Sequence, residues 1–102
     1  MNSNNTLEQV QFLEQTLQQI IYQKQAFELE LSETESSIEE IEKSKGDVYK
    51  IIGQLMIKSD NAKIKNELTD KHKIIKLRLD QLSKQEQTII ERMEKLRNQI
   101  VK

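Results

Sequence analysis

Cysteine, proline and tryptophan are missing from this chain, and glycine occurs only at Gly46 and Gly53. Without cysteine there are no disulfides and no thiol chemistry, which fits a reducing cytosol. Without proline, nothing bars very long helices. No apolar run approaches the ~20 residues of a membrane span. Met1-Asn2-Ser3-Asn4-Asn5 lacks the charge and apolar stretch of a signal peptide. The expectation is a soluble, cytoplasmic protein with no membrane partner. Only 35% of the residues are hydrophobic and 32% are charged, too polar for a thick globular core. At 102 residues the chain is read as a single domain.

Chemistry is equally scarce. A zinc site needs about four ligands, and the chain has one histidine and no cysteine. Glycine-rich phosphate loops are absent. Catalysis needs groups converging in a concave pocket, and no pattern here supplies one. The run Glu39-Glu40-Glu42 reads as a solvated helix face. We therefore expect no metal, no cofactor and no enzymatic activity.

What the chain does have is two long heptad patterns. In the first half the a and d positions are Val10, Leu13, Leu17, Ile20, Lys24, Phe27, Leu31, Thr34, Ile38 and Ile41. In the second they are Leu68, His72, Ile75, Leu79, Leu82, Glu86, Ile89, Met93, Leu96 and Ile100. Spacings alternate between three and four in both halves, and a period of 3.5 keeps an apolar seam facing a partner helix. Thr6 and Gln9 have the spacing of a capping box, Lys43 and Lys45 suit a last helical turn, and Gly46 suits a left-handed C′ position. The first helix is thus expected over about 7–45, roughly 58 Å long. A second should open at Ser59 or Asp60 as N-cap and cover about 60–102. The pairs Glu39/Lys43, Glu67/Lys71, Asp80/Lys84 and Glu91/Lys95 have acid before base four apart, the pattern of an exposed helix face.

Between the helices lies a segment of different character, about 48–58. Val48, Tyr49, Ile51, Ile52, Leu55, Met56 and Ile57 are β-favouring, and Gly53-Gln54 suits a two-residue type II′ turn with glycine first. That turn pairs Ile52 with Leu55, Ile51 with Met56, Lys50 with Ile57 and Tyr49 with Lys58. Both faces of such a hairpin are apolar and both strands are edges. A lone two-stranded hairpin is weak in water, so other chains are expected to complete it, most simply as a closed barrel. The fold class is therefore mainly α: an antiparallel two-helix coiled coil joined by one β-hairpin that completes an inter-subunit β-barrel.

Charge and polar seam positions support the antiparallel arrangement. Residues 1–47 hold ten acids and three lysines, a balance of −7, and residues 48–102 carry +6. Facing layers should have residue numbers summing to about 106, so Ile20 faces Glu86, Phe27 faces Leu79, and Thr34 faces His72, with Lys24 in the layer next to Glu86. The four polar seam residues then fall into two neighbouring groups, and buried polar seam positions are a known means of fixing register. His72 is read as such a residue, tolerated beside Thr34. The basic second half also raises nucleic-acid binding, but its charges are interleaved with acids and no aromatic occurs in residues 59–102 to stack on a base.

The run Val48-Tyr49-Lys50-Ile51-Ile52-Gly53-Gln54-Leu55-Met56-Ile57-Lys58 resembles the hairpin of prefoldin β-type subunits. The stretch Leu77-Arg78-Leu79-Asp80-Gln81-Leu82-Ser83-Lys84-Gln85-Glu86-Gln87 is similar to that family's second helix, and Ile20-Ile21-Tyr22-Gln23-Lys24 to its first. The likeness covers residues from about 7 to about 100, and a single hairpin matches the archaeal-type β class. The resemblance implies a hetero-hexamer of two α-type and four β-type subunits with a double β-barrel body and six coiled-coil tentacles. It also implies ATP-independent capture of unfolded proteins at the tentacle tips and delivery to a group II chaperonin. In that frame Val48, Tyr49, Ile51, Ile52, Gly53, Leu55, Met56 and Ile57 serve assembly. The end far from the hairpin, built from residues 1–17 and 93–102, supplies the client-contacting candidates Leu7, Val10, Phe12, Leu13, Met93, Leu96, Ile100 and Val101. Leu7 and Phe12 lie off the seam, and Val101 adds to Ile100. A passive coiled-coil scaffold or tether is the rival reading, and a two-faced apolar β segment is what it has no use for.

Overall fold

A computed structural model describes residues 3–44, 48–52 and 55–101. Its elements are α1 (Ser3–Lys43), β1 (Val48–Ile52), β2 (Leu55–Ser59) and α2 (Asn61–Val101). The chain divides into two compact units. The first comprises Met1–Phe27 and Arg78–Lys102, and the second Glu28–Leu77.

Both helices form from residues with good helical propensity and no interior glycine or proline. All twenty expected a and d positions are buried or half-buried. The eight residues of the four acid-before-base pairs are all exposed. The heptad pattern thus marks the shielded face of each helix along its whole length.

In the first unit Val10, Met93 and Leu96 form the centre of the packing, with Leu13, Leu17, Ile89 and Ile100 against them. Ile20 and Leu82 are buried as well. Lys24 meets Glu86 and Glu14 meets Arg97. Residue numbers fall along one helix as they rise along the other, so the pairing is antiparallel.

The second unit is packed more thinly. Ile75 and Thr34 are its buried side chains among those described. Two ion pairs cross between its helices, Glu30 with Lys71 and Glu42 with Lys65, and Glu35 meets His72 at 3.0 Å. These too run antiparallel. β1 and β2 pair antiparallel as Val48↔Ser59, Tyr49↔Lys58, Lys50↔Ile57, Ile51↔Met56 and Ile52↔Leu55. The last four pairs are those that a two-residue connection at 53–54 requires. Gly53 itself, and Gly46 with the expected C′ role, lie outside the described residues.

Helix ends differ from the sequence reading in two places, both in α1. α1 begins at Ser3, so Thr6 lies inside the helix and is not its cap. The reason is packing. Thr6 sits four residues before Val10, continues the 3–4 alternation of the seam, and is buried. α1 ends at Lys43 instead of about 45, where the Ser44 N–H donates to the carbonyls of Glu40 (3.0 Å) and Ile41 (3.2 Å). Of the two N-cap candidates for α2, Ser59 is taken up by pairing with Val48, and Asp60 caps the helix. Asp60 Oδ1 accepts from the Ala62 N–H at 2.9 Å, and its carbonyl accepts from the Ile64 N–H at 3.0 Å.

Candidate functional site

The polar residues of the seam come first, because they position everything else. Lys24 Nζ donates to Glu86 Oε1 at 3.1 Å, with both side chains largely shielded, at 20% and 26% exposure. This is the pairing expected from the layer arithmetic. Thr34 and His72 behave differently. The Thr34 hydroxyl donates to the Glu30 carbonyl one turn back, at 2.7 Å. His72 Nε2 lies 3.0 Å from Glu35 Oε1. Thr34 has a backbone acceptor within its own helix, as buried threonines in helices commonly do, which leaves the imidazole to the carboxylate of the next residue. The hydrogen-bond partner of His72 is thus Glu35, the residue next to its expected layer partner Thr34.

The client-contacting candidates divide by burial. Val10, Met93 and Leu96 are buried, and Leu13 and Ile100 are half-buried against them. These five hold α1 to α2 and have little surface left for a partner. Leu7 and Phe12 are exposed, at 45% and 67%. The side chain of Val101 lies outside the described residues, as do those of Val48, Tyr49, Ile51, Ile52, Met56 and Ile57. Leu55 is the one assembly candidate with a described side chain, and it is 67% exposed.

Two open grooves flank this end of the first unit. One, of about 440 Å³, is lined by Asn5, Glu8, Gln9, Phe12, Leu13 and Arg92. The other, of about 300 Å³, is lined by Glu14, Leu17, Gln18, Ile90, Met93, Glu94 and Arg97. Gln9 Oε1 is enclosed beside the first groove and has no hydrogen-bond partner among the described residues. Across the second, Arg97 Nη2 donates to Glu14 Oε1 at 2.7 Å. Neither groove gathers a nucleophile and a base, and among the described residues no three His, Cys, Asp or Glu side chains are grouped to hold a metal ion. No described helix is long and apolar enough to cross a membrane. Further exposed apolar side chains, Tyr22, Leu29, Ile74 and Leu77, were not singled out by sequence reasoning. Their signal was present: each sits off the a/d positions of its helix.

Comparison with known proteins places this architecture. A family model described as prefoldin subunit matches residues 4–102. The chain belongs to the prefoldin family. Among curated prefoldin relatives, the prefoldin subunit beta of Methanothrix thermoacetophila is 40% identical over 98 residues, covering 94% of this chain and 82% of the relative. The prefoldin subunit beta of Thermococcus onnurineus is 41% identical over 96 residues, covering 92% and 83%. The crystal structure of the prefoldin beta subunit from Thermococcus strain KS-1 is similar with a TM-score of 0.91 and 34% identity, over 96% of this chain and 88% of that one. Prefoldin is a non-enzymatic chaperone family, and this member shares its two-helix coiled-coil fold.

Proposed function

We propose that the chain is a β-type subunit of a cytoplasmic, ATP-independent holdase. It assembles with α-type subunits into a hexamer of two α and four β chains, captures unfolded proteins at the coiled-coil end farthest from the strands, and passes them to a group II chaperonin. The observation that carries this reading is the strand pair. Residues 48–59 form a two-stranded sheet between two long helices, and the family match spans both helices and the sheet. A two-stranded sheet keeps two edges open, and edges left open invite pairing with other chains. Closing such sheets between subunits into a barrel removes the edges. Exposed Leu55 is consistent with a face that another chain covers. The relatives named beta subunits favour the β role over a passive tether.

Assembly is tested by mixing the chain with an α-type subunit and measuring the mass of the product. The double substitution Ile51→Lys and Met56→Lys should prevent the complex while leaving helical dichroism largely intact, and an unchanged mass in the double variant contradicts the barrel. Client capture is tested with Leu7→Ser and Phe12→Ser, because the exposed pair can be changed without touching Val10 or Leu96. Suppression of aggregation of guanidinium-unfolded, disulfide-reduced lysozyme should fall in this variant. Full protection by the variant rules these two residues out.

A further inference from the structure

The second unit divides its charge between its two helices. Residues 28–43 of α1 carry seven acids and one lysine, and residues 61–77 of α2 carry five lysines and two acids. Part of this is matched within the chain, by Glu30–Lys71 and Glu42–Lys65, while Glu35 meets His72. Glu28 and Glu33 on α1, and Lys73 and Lys76 on α2, are exposed and have no ion-pair partner among the described residues.

These charges flank exposed apolar side chains, Leu29 at 62% on α1 and Ile74 and Leu77 at 60% and 62% on α2. Leu29 lies two residues from the seam positions Phe27 and Leu31, and Leu77 lies two from Ile75 and Leu79. At about 100° per residue, that turns each leucine directly away from the other helix. The two therefore stand on opposite outer edges of the helix pair, where one chain cannot bring them together. They are nevertheless level. Residues at one level have numbers adding to about 107, as Glu35 with His72 and Glu42 with Lys65 do, and Leu29 with Leu77 keeps that relation. So does Glu33 with Lys73, each four residues nearer the strands than its leucine.

We propose that the α2 edge of one chain docks on the α1 edge of a second copy, side by side and running the same way. Ile74 and Leu77 then lie against Leu29, with Lys73 and Lys76 beside Glu33 and Glu28. Charge selects this occupant. Two α1 edges would set acid against acid, and two α2 edges lysine against lysine. A copy running the other way would put Glu33 and Lys73 on opposite sides of the leucines. Asp70 and Asp80, one turn beyond Ile74 and Leu77, come level with Ser36 and Ala26 and so meet no acid. The contact is head-to-tail, each copy using one edge on each neighbour. With three apolar side chains it is much smaller than the ~1,200–2,000 Å² of a free-standing interface. It acts between copies that the strands already hold at high effective concentration, so the inference rests on the assembly reading.

The absence of native cysteine gives a clean test. Copies carrying Leu29→Cys and copies carrying Leu77→Cys are refolded together with an α-type subunit, mildly oxidised and run on a non-reducing gel. The mixture should give at least fivefold more cross-linked dimer than either variant alone, or than Leu29→Cys mixed with Asp70→Cys, one heptad off level. Adding Lys73→Glu and Lys76→Glu to the Leu77→Cys copy should cut the yield about fivefold, with helical dichroism and sedimentation mass unchanged. Adding Glu28→Lys and Glu33→Lys to the Leu29→Cys copy should then restore most of it. Strong cross-linking of either variant alone overturns the proposal, because it means like edges meet. Equal yield with Asp70→Cys overturns it as random collision, and reversal without restoration overturns the charge match. If the complex assembles and the mixed pair cross-links no better than the controls, the edge contact alone is lost and the assembly reading stands. If the parent sediments as a single chain both alone and with the α-type subunit, both fall.

Discussion

The first and second units share one heptad pattern but differ in how deeply it is buried. In the first, Val10, Ile20, Leu82, Met93 and Leu96 are buried, and the ion pair Lys24–Glu86 is shielded by its neighbours. In the second, Ile75 is the buried apolar residue among those described, and the ion pairs Glu42–Lys65 and Glu30–Lys71 have every partner more than 40% exposed. Exposed ion pairs contribute little because water and salt screen them. The lesson is that a heptad repeat specifies which face is shielded and leaves the strength of the contact to the residues that fill it. The weakly packed unit is also the one that carries the β-strands, where assembly with other chains has the most to add.

The contrast can be broken by emptying the stronger seam. Leu96→Ala removes a buried side chain and should cost about 2–5 kcal/mol in urea unfolding. Leu31→Ala, at a half-buried seam position of the second unit, should cost about 1 kcal/mol. Equal losses at the two sites would remove the distinction.

Charge reversal sharpens it. Lys24→Glu should lower the melting temperature, and adding Glu86→Lys should recover part of the loss, with a coupling energy of about 1 kcal/mol in the double-mutant cycle. The matching cycle on Glu30 and Lys71, both more than 40% exposed, should give about 0.3 kcal/mol. If the exposed pair couples as strongly as the shielded one, solvent exposure is not what separates the units.

Much of this was legible beforehand. A period of 3.5 is a local property of the chain, so the shielded face could be traced through Lys24, Glu86 and His72 as surely as through the leucines. The strand register was legible from Gly53-Gln54, since a two-residue connection allows one alignment. Thr6 misled because its capping chemistry and its seam position compete, and burial prevailed. The partner of His72 was hidden because the pattern ranks Thr34 as the facing residue without showing that its hydroxyl has an acceptor in its own helix. Val10, Met93 and Leu96 were read both as seam and as client contacts, and a side chain buried in the first role is unavailable for the second.

Two smaller effects complete the comparison. Salt raised to about 0.5 M shortens the screening length to a few ångströms. It should speed amide hydrogen exchange around Glu30 and Glu42 more than around Leu13 and Leu17, and a uniform change across both units is the outcome that counts against a contribution from these ion pairs. Thr34→Val deletes a hydroxyl whose acceptor, the Glu30 carbonyl, belongs to the helix ladder as well. We expect a change within about 0.5 kcal/mol. A loss beyond about 1.5 kcal/mol would mean that the hydroxyl does more for the seam than satisfy itself.

Asp60 has a mechanical consequence. It is the one residue between the last strand residue, Ser59, and the first helical residue, Asn61, and both its carboxylate and its carbonyl are tied into the first turn of α2. On the other side, four residues separate Lys43 from Val48. A splice of one clamped residue leaves no slack to absorb torque, so a change in the twist of β2 turns the start of α2 with it, as a shaft turns with its key. The first turn of α2 is therefore geared to β2 through a single residue.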